Sequence, residues 1–355
     1  MTKLTLFFFI VCFVTSSFYA NQKFTLEKII TDLDQPWSLS FVTEDEIIVT
    51  EKTGKLKLIN LTSKRIQPIK HNLAILVDGQ GGLLDVLYYN NDVFVSYTEN
   101  RGSGKSSTSV ASAKFDSENM VFRTIFRAEP AIRSGYHFGS RLAIKDEQLY
   151  ITAGERGKGM IAQNAQKHPG SIIRINLDGS IPKDNPGFNN QPNWLKEIYQ
   201  IGLRNPQGIA VSPFDEEIYI SNHGAKGGDW FGKIDKGGNY GWKVLGWGGT
   251  NYTGLPIGPK WQQGYNKAIF YWTPSIAVSA IAIYKGDTFP NWNGAALITS
   301  LKDQSLRKIE FKDTEVLSES IIFKGNIGRI RDIKVHSKSG EIYLLSDSGS
   351  LWRMF

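Results

Sequence analysis

The same two-strand unit occurs six times along this sequence. Its paired runs are residues 37–41 and 47–50, 83–89 and 93–97, 141–144 and 149–152, 208–211 and 218–221, 280–284 and 295–299, and 330–335 and 342–345. Each run is short and rich in β-branched and aromatic residues, and most pairs are joined by a polar turn such as Asn90-Asn91-Asp92 or Lys145-Asp146-Glu147. Several units add a third strand, at residues 55–59, 171–175, 306–311 and 350–354. The units begin roughly 45 to 70 residues apart, a spacing suited to four-stranded propeller blades with loop insertions. The expected fold is therefore all-β, a six-bladed β-propeller of four-stranded antiparallel blades. Residues 24–30 precede the first unit and are expected to pair with the last blade, which removes the open edge. A two-sheet sandwich with internal duplication is the alternative, but six units are too many for one sandwich.

The 355 residues supply ample apolar material for one large all-β unit. Lys and Arg exceed Asp and Glu by seven, but the two signs are interleaved, which excludes an extended nucleic-acid surface. Residues 1–20 read as a secretory signal peptide: Lys3, then an apolar run over residues 4–14, then a smaller and more polar segment ending at Ala20. The only cysteine, Cys12, falls inside it, so residues 21–355, read as a single propeller domain, contain no disulfide. No second long apolar run follows, so no stable membrane insertion of the mature chain is expected. The expected location is periplasmic or secreted.

In a propeller the loops at one end of the channel converge, so residues just before successive units can meet. Gln80 lies in Gly79-Gln80-Gly81-Gly82-Leu83 before the second unit, and offers both a donor and an acceptor. His137 lies in Tyr136-His137-Phe138-Gly139 before the third, a suitable place for a general base near neutral pH or for a packed loop histidine. Arg204-Asn205-Pro206 precedes the fourth unit and presents a permanent cation beside an amide, fit for a planar anion or for a surface carboxylate. The loop Asn222-His223-Gly224-Ala225-Lys226-Gly227-Gly228-Asp229 offers backbone carbonyls to a hard cation such as calcium, but few carboxylates. Tyr271-Trp272 comes before the fifth unit and Lys302 follows it. Arg329 and Arg331 open the sixth, on one face of a strand, where an anion or Asp332 must compensate them. The set describes a pocket for a flat, multiply anionic, redox-capable or aromatic ligand with a base nearby.

These motifs, with Gly-Glu-Arg-Gly at 154–157, Arg-Ile-Asn-Leu-Asp-Gly-Ser-Ile-Pro at 174–182 and Gly-Asn-Tyr-Gly-Trp at 238–242, occur in an order that resembles the soluble aldose sugar dehydrogenases that use pyrroloquinoline quinone. The likeness runs from about residue 33 to the end of the chain. It implies a secreted six-bladed propeller that oxidises a small-molecule aldose at the anomeric carbon and passes electrons to an unidentified acceptor. It implies that His137 is the general base and that Arg204 also stabilises negative charge on the quinone oxygen. Gln80, Arg204, Asn205, Lys302, Arg329 and Arg331 would hold the cofactor's carboxylates and quinone oxygens, with Trp272 nearby. The carbonyls of Gly224 and Ala225 would help bind a polarising calcium ion. Three positions depart from the family pattern. Ala225 stands where proline is common, Trp230 stands where an acid is common, and Tyr136 stands where the glucose-specific branch has an acid. A calcium-dependent propeller lactonase or other hydrolase would instead need acidic side chains around its metal, and a non-catalytic sugar-binding propeller would need no base.

Overall fold

The computed structural model describes residues 23–355 together with a two-residue strand, Phe18–Tyr19. The signal peptide expected over residues 1–20 lies, apart from that pair, outside the described residues. Six sheets of four antiparallel strands surround a central channel. Blade 1 comprises Pro36–Phe41, Glu46–Glu51, Lys55–Asn60 and Ile66–His71 from the channel outward. Blade 2 comprises Leu83–Tyr89, Asp92–Asn100, Ser106–Lys114 and Arg123–Arg127. Blade 3 comprises Gly139–Lys145, Gln148–Ala153, Ser171–Asn176 and Ile198–Gln200. Blade 4 comprises Pro206–Val211, Ile218–Asn222, Asp229–Lys233 and Phe270–Trp272. Blade 5 comprises Val278–Ile283, Ala296–Ser300, Ser305–Lys312 and Glu315–Lys324.

Blade 6 takes three strands from the C-terminus, Ile330–Val335, Ile342–Ser346 and Ser350–Met354, and its outer strand from the N-terminal Leu26–Ile30. The antiparallel pairing of Leu26 with Met354 and of Ile30 with Leu351 closes the ring as expected. Blades 1 and 5 each gain a short parallel strand at the rim, Asn119–Met120 and Phe18–Tyr19. Among the described residues the only helical turns are three short 3-10 segments, and no helix is long and apolar enough to cross a membrane.

The apolar core lies between neighbouring blades. Leu39, Val49 and Ile59 of blade 1 pack with Leu345 and Leu351 of blade 6, and Tyr219 and Phe231 of blade 4 pack with Val278 and Ile298 of blade 5. Nearer the channel the inner two strands carry small hydroxyl residues, and these tie one blade to the next. Ser96 Oγ donates to the Ser140 carbonyl at 2.6 Å, Thr152 Oγ1 to Pro206 at 3.3 Å, Ser221 Oγ to Ser279 at 2.6 Å and Ser279 Oγ to Ile330 at 2.6 Å. Inner strands converge too closely for large side chains, and a hydroxyl satisfies a buried carbonyl in the space of an alanine.

A buried charge cluster plugs the channel. Arg141 Nη1 lies 2.8 Å from Asp332 Oδ1 and 3.4 Å from Asp85 Oδ1. Its Nε donates to the Gln207 carbonyl and its Nη2 to the Arg331 carbonyl, both at 2.8 Å, while its guanidinium lies 4.1 Å from the centre of the Trp37 ring. The carboxylates accept backbone N–H groups in turn, Leu142 to Asp85 at 2.7 Å and Leu39 to Asp332 at 3.0 Å. One side chain thus joins five of the six blades.

Candidate active site at the channel mouth

In each blade the chain enters the inner strand and leaves the second strand at the same end of the channel. Loops before inner strands and residues after second strands therefore surround one opening. There they line a cavity of about 550 Å³. Gln80, His137, Arg204 with Asn205, and Arg329 with Arg331 come from loops before or at the start of inner strands. Lys52, the segment His223 to Lys226, and Lys302 come from just after second strands. Arg141 and its carboxylates form a layer bonded to the carbonyls of two lining residues, Gln207 and Arg331.

His137 is held on three sides. Its backbone is in the left-handed region, with φ of +50°, and its N–H donates to Gln80 Oε1 at 2.8 Å. A Cβ at Gly154 would collide with the His137 carbonyl, so glycine is required where the second strand of blade 3 ends. The ring Nδ1 lies 2.5 Å from Glu155 Oε1. A carboxylate can only accept, so Nδ1 carries the proton and Nε2 is left as the basic nitrogen. Burial pushes the His137 pKa below its ordinary value; Glu155 pulls it up, and Arg204 and Arg156 push it down again. The ring is therefore neutral at neutral pH. Burial alone would raise the Glu155 carboxyl, but the His137 ring, the Gly159 N–H at 2.6 Å and Arg204 together hold it below the usual range.

Arg204 is only 6% exposed, and among the described residues it has no carboxylate within ion-pair distance. Its guanidinium lies 5.4 Å from the centre of the Trp242 ring, and Nη2 lies 3.5 Å from the Tyr252 hydroxyl. A buried cation without a counter-ion is costly, and its cavity-facing position invites an anion. Asn205 is a tie between blades: its Oδ1 accepts the Gly139 N–H at 3.1 Å. Asn222 Oδ1 in turn accepts the N–H groups of Arg204 and Asn205, at 3.2 and 2.9 Å, and sets the turn.

Asp229, fully buried, shapes the carbonyl loop. It accepts the Gly224 N–H at 2.8 Å, the Ser275 hydroxyl at 2.7 Å and the Ala277 N–H at 2.7 Å. The carbonyl oxygens of Gly224 and Ala225 accept no hydrogen bond from any described residue. No cluster of three or more His, Cys, Asp or Glu among the described residues could hold a metal. A hard cation here would therefore be held by main-chain oxygens and by its ligand.

A model of the glucose/sorbosone dehydrogenase family matches residues 33–353. The chain belongs to the glucose/sorbosone dehydrogenase family. It is 32% identical over 354 residues to the aldose sugar dehydrogenase YliI of Escherichia coli, covering 96% of this chain and 95% of that one. It is 26% identical to quinoprotein glucose dehydrogenase B of Acinetobacter calcoaceticus, covering 92% of this chain and 86% of that one. Its structure is similar to the crystal structure of the soluble aldose sugar dehydrogenase from Escherichia coli in the apo form. The TM-score is 0.89 at 31% identity, over 94% of this chain and 99% of that one.

Within this glucose/sorbosone dehydrogenase fold, one expected site residue lies elsewhere. Trp272 does not line the cavity. It is buried between blades 4 and 5, and its indole N–H donates to Glu319 Oε1 at 2.7 Å. It ends the outer strand of blade 4, and the chain must still cross to the axis before the next inner strand. Ser275 and Ala277, at the end of that crossing, line the cavity instead. The acid that compensates Arg329 and Arg331 also differs from expectation. Asp332 turns inward to Arg141, and Asp347 takes both guanidiniums: Arg331 at 2.8 and 2.9 Å and Arg329 at 2.9 Å. Alternation along the strand explains this, because residues 329 and 331 share a face and residue 332 takes the opposite one.

Sequence reasoning passed over Lys52, Glu155, His223 and Asp347 as site residues. Lys52, His223 and Asp347 immediately follow the second strands of their blades, and Glu155 lies one residue further on, as Lys302 does. That shared position was the available signal. Lys52 Nζ donates to the Gly79 carbonyl at 2.8 Å, which braces the Gln80 loop. His223 Nε2 is sealed from solvent without a partner, and burial pushes the ring's pKa down to about 4.

Proposed function

We propose that this chain is a periplasmic or secreted aldose dehydrogenase that oxidises a sugar at its anomeric carbon to the lactone, using pyrroloquinoline quinone and calcium. The observation that carries the reading is the pairing of a buried, uncompensated Arg204 with a neutral His137 across one cavity. An anionic, flat acceptor and a proton-bearing substrate are what such a pair can serve. The similarity to an aldose sugar dehydrogenase and to a quinoprotein supports the same reading.

The donor set fits the cofactor. Arg204, Lys52, Lys226, Lys302, Arg329 and Arg331 line the cavity with no carboxylate among the lining residues, which suits a tricarboxylic acid. Gln80 and Asn205 add amides, and the free carbonyls of Gly224 and Ala225 suit calcium. When bound, pyrroloquinoline quinone supplies the two-electron acceptor for the anomeric hydride, with calcium as Lewis acid.

The protein's own part is proton transfer and charge placement. His137 Nε2 takes the anomeric hydroxyl proton. Glu155 keeps Nδ1 protonated and stabilises the imidazolium as it forms, and the left-handed turn at residue 137 with the Gln80 bond fixes the ring's position. Arg204 places a positive charge where negative charge develops.

The test is titration of the mature apoprotein with pyrroloquinoline quinone, with and without calcium, followed through tryptophan fluorescence and then dye reduction with a panel of aldoses. Saturable, calcium-dependent quenching with sugar-dependent dye reduction is expected. Quenching without turnover on any aldose would sink the dehydrogenase assignment while leaving the cofactor site in place.

A further inference from the structure

The connection between the third and fourth strands of blade 4 is unusually long and has a one-sided charge. The connection, residues 234–269, carries four lysines against one acid, Asp235. Elsewhere the signs are mixed. We propose that the shoulder of the cavity mouth built by blades 3 and 4 is the docking face for an acidic one-electron carrier protein. The inference rests on the dehydrogenase reading, since it names the partner that takes electrons away from that site.

The centre of the shoulder is apolar. A small hairpin, closed by the Thr250–Pro256 bridge and by Asn251 N–H donating to the Leu255 carbonyl at 2.7 Å, holds out Tyr252 and Leu255, which are 70% and 68% exposed. Tyr252 reaches Arg204 at the cavity wall. In the loops of blade 3, Tyr136 is 62% exposed beside the His137 ring, and Met160 is 55% exposed on the turn that begins at Gly159. Large apolar side chains grouped around an opening mark a contact surface rather than chance exposure.

Four exposed cations flank that centre. Lys243 packs over Gly159, next to Lys158 and Met160. Lys226 donates its N–H to the Thr250 carbonyl at 3.1 Å, and Lys260 lies along Gly248. Among the described residues, none of the four has a carboxylate within ion-pair distance. Of the carboxylates in these loops, Glu155 is taken by His137 and Gly159 and Asp229 by Gly224, Ser275 and Ala277, while Asp235, at the start of the connection, lies 4.0 Å from Lys233 and accepts from the Asn266 amide. The face therefore offers exposed apolar side chains among four lysines that have no ion-pair partner. It complements a partner with an apolar contact surrounded by acids, and it would steer that partner to the mouth.

The electron balance requires a partner used twice per turnover. One aldose and two oxidised carriers yield one lactone, two reduced carriers and two protons. One proton leaves through His137, and the other leaves with reoxidation of the site.

The test uses the mature chain loaded with calcium and pyrroloquinoline quinone. An acidic c-type cytochrome, a basic c-type cytochrome and a small uncharged dye serve in turn as acceptor. The parent is compared with Lys158→Glu/Lys243→Glu/Lys260→Glu, none of which lines the cavity. The triple variant is expected to lose about tenfold or more in the second-order rate with the acidic cytochrome at low salt, and to keep its dye rate within about twofold. The parent's preference for the acidic cytochrome should fade as salt rises. Equal parental rates with both cytochromes, or an unchanged rate in the variant, would overturn the docking face. So would loss of phosphatidylserine-vesicle binding with no change in cytochrome reduction, which would make the patch a membrane contact. Should the loaded parent reduce no dye, the dehydrogenase reading fails on its own. Salt-sensitive binding of the acidic cytochrome to the apoprotein, weakened in the triple variant, then still decides the docking face.

Discussion

The His137 imidazole and the Glu155 carboxylate meet at 2.5 Å, Nδ1 to Oε1, where the loop before the inner strand of blade 3 faces the residue after its second strand. The pair is formed by two segments that a propeller blade always brings to the same end. It sets which nitrogen is basic and how basic it is.

Two variants separate those effects. His137→Ala is expected to lower kcat/KM by about 10²- to 10⁴-fold while the cofactor still binds. Glu155→Gln removes a partner that raises the His137 pKa. The base must be neutral to act, so activity falls as pH drops through its pKa, which already lies below the ordinary histidine value. In Glu155→Gln the acid limb of kcat/KM is expected to move to still lower pH, and the plateau to fall because the imidazolium loses its support. A limb that moves to higher pH would show that Glu155 does not act through the ring.

Arg204 is expected to cost stability in order to bind its ligand. Replacing it by methionine removes a buried cation that lacks a counter-ion. The apoprotein of Arg204→Met should melt at the same temperature as the parent or higher, while affinity for pyrroloquinoline quinone drops about tenfold to a hundredfold. Thermal unfolding without ligand and fluorescence titration check the two halves. A less stable apoprotein with unchanged affinity would assign Arg204 to the scaffold.

Arg141 has the opposite balance. It is buried, and Asp85 and Asp332 both depend on it. Arg141→Met leaves two carboxylates without their cation and should destabilise the chain by about 3–5 kcal/mol, measured by chemical denaturation. A loss below about 1 kcal/mol would mean that the backbone N–H groups and the Ser38 hydroxyl satisfy those carboxylates without the cation.

Trp272 tests the boundary of the site. Trp272→Phe loses the bond to Glu319 and should cost about 1 kcal/mol of stability, with cofactor affinity unchanged. Denaturation and cofactor titration on the same variant are sufficient. An affinity loss comparable to that of Arg204→Met would return Trp272 to the cofactor.

The inner strands were legible because their apolar and small residues recur in short runs between polar turns, as in residues 141–144 and 149–152. Outer strands were harder to read. Ile66–His71 contains Pro68 and exposes Ile66 and Lys70, so its pattern resembles a loop, and only pairing with Lys55–Asn60 makes it a strand. Within the site, residues that precede inner strands were found because they sit in glycine-flanked motifs. Asp347 follows a second strand without such marking, and Glu155, although it sits in Gly-Glu-Arg-Gly, also follows one; the partners of both come from other segments of the blade.

Short-range chemistry was enough to specify the number of blades, the ring closure and most of the side chains that gather at the mouth, because strand alternation and turn residues act over a few positions. Ring packing decided the rest. Alternation turns Asp332 away from the arginines, but that Asp347 answers them, whether Trp272 reaches the cavity and which histidine nitrogen stays bare all depend on what stands opposite across a blade or between two blades. No local rule contains that neighbour, since burial and partnering are set by segments tens to hundreds of residues away.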